Sequence, residues 1–301
     1  MRTVVHLSDL HFGRVDASVV EPLIASITEA RPDAIAVSGD LTQRARSNQF
    51  QEAREFLDRL PKVPQIVVPG NHDVPLWNAF RRFAQPLDKF RRFISDDIEP
   101  FYADEEIALL GMNTARSLTV KYGRINERQV ARIRELFCEI KDGVTKIVVT
   151  HHPFDLPEGY DEAEIVGRAR MAMETLAACG ADLLLAGHLH VGHTGQTAKR
   201  YEIAGHSALV VQAGTATSSR VRGGEPNSFN VVRVKRPHVN VVRYGFDDDK
   251  KIFAPSSSEH FQHTPAGWQR LSDEAAAGIS YDERTDALQP HMPEEKWSGR
   301  R

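Results

Sequence analysis

Short apolar runs alternate with longer amphipathic stretches along the first two thirds of the chain. The runs cover residues 4–7, 34–37, 65–68, 107–110, 146–149 and 182–186. They are mostly β-branched and bounded by Gly, Asp, Asn or Pro, which predicts buried strands. Between them, residues 19–30, 48–60, 78–93, 127–140 and 168–179 carry apolar side chains at helical spacing and charges on the opposite face. Such alternation predicts a layered α/β fold. Beyond residue 200 the pattern changes. Residues 207–213, 227–234 and 238–246 alternate like strands with no helix between them. An antiparallel sheet region is expected there, with Lys235-Arg236-Pro237 joining one pair. From residue 255 the chain turns polar and loses any strong period. The expected organisation is therefore one domain over 1–254 and a tail over 255–301. That tail is read as draped over the domain with Trp268 and Trp297 as anchors, placed at a dimer interface, or partly disordered.

Composition adds exclusions more than identities. With 301 residues the chain can bury a sizeable core. Its net charge of -3 offers no global positive field, so nucleic acid is not an expected partner. Cys138 and Cys179 each fall inside a helical apolar stretch, which predicts small core residues and no disulfide. No apolar run approaches membrane-spanning length, and Thr3-Val4-Val5-His6-Leu7 leads directly into a strand. A cytoplasmic location is expected.

The informative residues stand where the strands end. The first run ends in Ser8-Asp9-Leu10-His11, the second in Ser38-Gly39-Asp40 and the third in Pro69-Gly70-Asn71-His72-Asp73. Later runs end in Thr150-His151-His152-Pro153 and Gly187-His188-Leu189-His190. In open α/β sheets a ligand crevice lies outside the carboxyl ends of the strands. These groups should therefore meet at one edge. Two Asp, one Asn and four His are oxygen and nitrogen donors that suit Mn, Fe or Zn. Any one of these pairs occurs by chance in turns, but five in succession after five strands make a metal site the stronger reading. Gly39, Gly70 and Gly187 precede the donors and would permit sharp turns or close approach of another segment.

The order Asp-x-His, Gly-Asp, Gly-Asn-His, His, Gly-His-x-His resembles the calcineurin-like metallophosphoesterases, across residues 9–190. That resemblance implies a four-layer α/β/β/α sandwich of two mixed sheets flanked by helices. It also implies a centre of two divalent ions. One would take Asp9, His11, Asp40 and His190, and the other Asp40, Asn71, His151 and His188, with Asp40 shared. His72 would face the substrate without binding metal, and Asn71 would also reach it. Gln43 stands where purple acid phosphatases carry a metal-binding Tyr, and the Ser/Thr phosphatase patterns are absent. Gly39-Asp40-Leu41-Thr42 with Gly70-Asn71-His72-Asp73 resembles the class III cyclic-nucleotide phosphodiesterases, and a DNA-repair nuclease branch shares the second block.

The expected function is hydrolysis of a phosphodiester by in-line attack of a metal-bridging hydroxide, with a small cyclic nucleotide as substrate. His72 would bind a phosphate oxygen or protonate the leaving group. Asp73 either orients His72 or serves its turn. Asn113, Arg116, Arg220 and Arg222 are further candidates for substrate or phosphate contact, against the plainer readings of a cap and of solvated arginines. Tyr122 and Phe154 are read as core packing, with stacking on a base as the alternative. His152 is read as a turn residue or a supporting one. A second enzymatic reading keeps the centre and widens the substrate to other nucleotides, monoesters or phospholipid headgroups. A nuclease and a non-catalytic scaffold are the remaining alternatives, and a homodimer is possible on any of them.

Overall fold

The computed structural model describes residues 1–281 apart from 77, 78, 118–120, 202, 204, 205 and 220–223. The described elements run β1 (Arg2–Leu7), α1 (Ala17–Glu29), β2 (Ala34–Val37), α2 (Ser47–Arg59), β3 (Gln65–Val67), α3 (Ala79–Ala84), α4 (Asp88–Phe93), β4 (Phe101–Ala103), β5 (Ile107–Met112), α5 (Glu127–Phe137) and β6 (Thr145–Thr150). They continue with α6 (Ala169–Ala178), β7 (Leu183–Ala186), β8 (His193–Gln196), β9 (Leu209–Gln212), β10 (Ser228–Lys235), β11 (His238–Asp247), β12 (Ile252–Thr264), β13 (Gly267–Arg270) and α7 (Asp273–Ala276).

Two sheets form the centre. One has the order β13-β12-β11-β10-β1-β2-β3, and the other β4-β5-β6-β7-β9-β8. In the first, β1, β2 and β3 are parallel, while β10 to β13 add an antiparallel extension. In the second, β5, β6, β7 and β9 are parallel. Val4, Ala36, Ile66, Val232 and Val241 of one sheet pack with Leu109, Ile147, Val149, Leu185 and Val211 of the other. The outer face of the first sheet is covered by α1 and α2 through Leu23, Ile27, Phe50 and Leu57. The outer face of the second is covered by α5 and α6 through Ile133, Phe137, Met173 and Leu176. The result is the four-layer sandwich. Strands buried on both faces explain why the apolar runs are continuous and do not alternate. Local chemistry starts the helices. In α5, Asn126 Oδ1 accepts from Gln129 N at 2.9 Å and Gln129 Oε1 accepts from Asn126 N at 3.0 Å, a reciprocal cap.

Three sequence expectations need correction. The helix predicted over 78–93 is two helices, because Pro86 between α3 and α4 has no N–H and disfavours helix just before it. The boundary at 254/255 falls inside β12, and the segment read as aperiodic supplies two strands. Trp268 on β13 is 1% exposed and donates Nε1 to Asp182 Oδ1 at 2.9 Å. Trp297 lies outside the described residues. Finally, Cys138 and Cys179 form a disulfide across 41 positions. It ties the end of α5 to the end of α6, both packed on the second sheet. Each helix period places its cysteine toward the neighbouring helix, a relation no single-helix pattern reveals. Among the described residues no helix is long and apolar enough to cross a membrane.

Candidate metal centre

The parallel strands β1, β2 and β3 of one sheet and β6 and β7 of the other all end at the same edge. The chain turns sharply after each. Asp9, His11, Asp40, His188 and His190 all have positive φ, between 48° and 74°. That region is uncommon for residues with a side chain, and its occurrence at five donors marks backbone held in place by its surroundings. Backbone bonds do the holding: Asp9 N donates to Gly39 O and His11 N to Asp40 O. Two glycines make the close approach possible. A Cβ on Gly70 would stand 2.1 Å from Asp40 Oδ1, and one on Gly187 would stand 1.8 Å from Ser8 Oγ.

All seven expected donors come together. His11 Nε2 lies 3.4 Å from His190 Nε2 and 3.6 Å from Asp9 Oδ1. His190 Nε2 is 3.4 Å from the same Asp9 oxygen. On the other side, His151 Nε2 is 3.0 Å from Asn71 Oδ1 and 3.3 Å from His188 Nδ1. Asp40 Oδ2 stands between the two sets, 3.8 Å from His11 Nε2 and 3.4 Å from His151 Nε2. Its other oxygen accepts from His72 N at 2.8 Å. Ser8 Oγ and His188 N both donate to Asp9 Oδ2, leaving Asp9 Oδ1 buried with no hydrogen-bond partner.

Ring protons fix which nitrogens face inward. His151 Nδ1 donates to the Ser38 carbonyl at 2.8 Å, so its Nε2 is the inward atom. His188 Nε2 donates to Glu164 Oε2 at 2.9 Å, so its Nδ1 is the inward atom. Burial disfavours charge on the His151 ring, but Asp40 outweighs it and moves the ring up to about 9. Burial likewise opposes ionisation of Asp40, yet the rings of His151, His72 and His11 hold its carboxyl well below the usual range. Asp9 is held low in the same way, chiefly by His190 against its own burial. Inward imidazole nitrogens, an unpartnered carboxylate oxygen and a buried anion all converge. Such a set suits divalent cations of borderline hardness.

His72 stands at the rim of the donor set, within reach of His11 and Asp40. Its side chain is 26% exposed, and Nε2 lies 4.0 Å from Asp40 Oδ2. Nδ1 donates to the Gln43 carbonyl at 2.9 Å. Asp73 does not orient it. Its carboxylate accepts from Gly70 N, Leu41 N, Thr42 N and Thr42 Oγ1, stapling the turn after β3 to the turn after β2. Burial, then the charge of Asp40, raises Asp73 to about 6. His152 has both ring nitrogens engaged. Nε2 donates to Lys121 O at 2.8 Å and Nδ1 accepts from Thr114 Oγ1 at 2.8 Å. It lies within reach of His151 and His188, but a ring with no spare lone pair supports the site without ligating.

The weaker candidates divide. Asn113 Oδ1 accepts from Ala115 N, the cap reading. Arg116 donates to the carbonyls of Asn113 and Ala115 and to Gln129, so its guanidinium is engaged locally. Phe154 is core at 1% exposure, whereas Tyr122 is 42% exposed, against the packing expected of it. Arg220 and Arg222 lie outside the described residues. Glu164 was missed by sequence reasoning. It sits in a one-turn helix far from any motif, and only its proximity to His188 reveals it.

Known proteins resemble this chain to different depths. The chain is 28% identical over 166 residues to a glycerophosphodiester phosphodiesterase, GpdQ, of Enterobacter lignolyticus, covering 51% of this chain and 58% of that protein. It is 30% identical over 217 residues to a probable cyclic nucleotide phosphodiesterase of Rhodococcus erythropolis, covering 64% of this chain and 65% of that one. The matched region thus spans less than two thirds of either relative. Among solved structures, a dimetal phosphatase from Danio rerio superposes with a TM-score of 0.57 at 12% identity, over 81% of this chain and 96% of that one. A purple acid phosphatase from yellow lupin gives 0.65 at 11% identity, over 96% of this chain and 57% of that one. These two likenesses establish the fold. The sequence profile of the calcineurin-like phosphoesterases matches residues 2–192, and the chain belongs to that family.

Proposed function

We propose that this chain is a metal-dependent phosphodiesterase acting on a small cyclic nucleotide. The observation that carries the reading is the convergence of seven oxygen and nitrogen donors from five strand ends, with Asp40 Oδ2 between two sets. Asp9, His11, Asp40 and His190 would hold one divalent cation. Asp40, Asn71, His151 and His188 would hold the second. Bound there, such ions lower the pKa of water and neutralise charge gathering on a phosphate.

The chain's own residues do the rest. Asp40 is kept rigid by the His72 amide, so its free oxygen stays directed inward. His72 Nδ1 is committed to Gln43, which leaves Nε2 facing the centre. In its protonated form that nitrogen can bind a phosphate oxygen or pass a proton to the departing alkoxide. Asn71 has its oxygen toward His151, and its amide N–H groups can meet the substrate.

Two observations favour a nucleotide. One relative is named a probable cyclic nucleotide phosphodiesterase. A cavity of about 440 Å³ is lined by the apolar Val74, Pro86, Leu87, Ile98 and Ala115 and by the polar Asp88, Arg91, Asn113 and Arg116, and Val74 directly follows the Asn71–Asp73 turn. Its apolar wall suits a base. A second reading, a glycerophosphodiester substrate, is favoured by the name of the other relative. Metal-stripped protein reloaded with Mn(II) separates them. Hydrolysis that returns with the metal and prefers a cyclic nucleotide supports the proposal. Preference for glycerophosphodiesters selects the second reading. Failure on every ester, with the fold intact, leaves a non-catalytic scaffold.

A further inference from the structure

His188 meets a carboxylate that no motif announces. Glu164 ends the single-turn helix Glu162–Glu164, between β6 and α6, and is 9% exposed. Its Oε2 accepts from His188 Nε2 at 2.9 Å. The ring proton is thereby assigned to Nε2, and Nδ1 offers its lone pair toward His151, 3.3 Å away. The other carboxylate oxygen is ion-paired with Lys121 Nζ. The Lys121 carbonyl in turn accepts from His152 Nε2. The His152 ring lies against the His188 ring with centroids 4.6 Å apart. His188 is therefore fixed at its outer nitrogen by an anion and on its face by an imidazole, and Lys121 links the two.

We propose that Glu164 is a positioning residue for His188, anchored by Lys121: the carboxylate sets the ring's tautomer and direction so that Nδ1 faces the cation site shared with Asp40, Asn71 and His151. The inference rests on the reading of His188 as a ligand. Glu164 is not itself a donor to that site, since its oxygens are engaged by His188 and Lys121 on the far side of the ring. An imidazole released from such a partner can exchange its tautomer and rotate, and either change withdraws the lone pair from the centre. The set of Asp9, His11 and His190 does not depend on this bond, so the effect should be confined to one of two sites.

The test titrates metal-free wild type, E164A, E164Q and E164D with Mn(II). Binding is read by calorimetry and by the spin resonance of free ion, with melting of each metal-free form as a check on the fold. Wild type is expected to take two ions. E164A should weaken one of them by about 10–100-fold and leave the other unchanged. E164Q should recover most of that loss, because its amide oxygen still accepts from Nε2. E164D, whose charge is withdrawn by one carbon, should weaken the same ion by at least about threefold. Two ions bound by E164A with wild-type affinity overturn the inference. So does equal weakening of both ions, or an E164Q no better than E164A. If E164A does not fold, wild-type affinity in E164D overturns it alone. A wild type that takes no ion sinks the proposed function itself, and this inference with it.

Discussion

Asp40 and His151 face each other across 3.4 Å through Oδ2 and Nε2, while each has its other polar atom held by backbone. The Asp40 oxygen comes from the end of β2 and the His151 nitrogen from the end of β6, so the contact spans the two sheets. An inward lone pair on each side is favourable only with positive charge between them, whether a proton or a metal ion. This contact joins the fold to the proposed chemistry, and the variants below test its surroundings.

His72→Ala should lower kcat by about 10²–10⁴-fold. Bound metal should stay near the wild-type level, because the seven proposed donors do not include His72, although its Nε2 stands 4.0 Å from Asp40 Oδ2. Metal analysis beside steady-state kinetics checks this. Loss of metal in step with activity would make His72 a ligand.

Gly70→Ala should damage the centre through sterics alone. The new Cβ would stand 2.1 Å from Asp40 Oδ1 and 2.3 Å from Asp40 N, and the backbone contact cannot be relieved by a rotamer change. A loss of about 1–3 kcal/mol in stability is expected, together with weaker Mn(II) binding. Gly278→Ala, where a Cβ would meet nothing within 4 Å, is the control and should leave both unchanged. Equal behaviour of the two variants in denaturant melts and metal titration would refute the steric explanation.

Much of this site was legible because its strands are buried and parallel. Burial on both faces makes the apolar runs of β1, β2, β6 and β7 continuous, and a donor follows within one to three residues of each strand's end. Other features were hidden for physical reasons. β12 lies near the edge of its sheet, and its Ser257-Ser258 pair meets β11 through backbone groups that leave no mark on side-chain pattern, with Ser256 at a register shift. The Cys138–Cys179 bond joins two helices that neither period relates. Glu164 acts at a distance of 24 positions from His188, with a side-chain type common on any surface. Asp73 looked like a partner for the adjacent His72, but its carboxylate turned to three backbone amides instead.

His6 should shape the acid limb of stability. It is fully buried beside Ser38, with Nε2 and Oγ 2.9 Å apart, and burial pushes its imidazole down from 6.5 to about 3. Between those values the unfolded chain binds a proton that the folded chain does not. Its contribution is complete above 6.5 and is lost as pH falls toward 3. In metal-free protein, wild type should lose roughly 1.4 kcal/mol more per pH unit than His6→Gln across this window. Urea midpoints between pH 6 and pH 4 measure the difference, roughly in the middle of the window. Parallel slopes would show that His6 does not titrate in this way.

Cys138→Ser should destabilise the protein without touching the centre. Opening a cross-link that spans 41 positions releases unfolded-chain entropy worth about 3–4 kcal/mol at most. Denaturant melts of oxidised wild type and the variant check the loss. Alkylation before reduction should modify neither cysteine of the wild type, and rapid labelling of both would contradict the bond.

Crystals of the Mn(II)-loaded chain, measured for anomalous scattering at the metal edge, decide the rest. Two peaks are expected roughly 3.5–4 Å apart. One should contact Asp9, His11 and His190, the other Asn71, His151 and His188, with Asp40 touching both. A fully loaded crystal with no peak among these residues, or with its metal bound elsewhere, would contradict the proposed function.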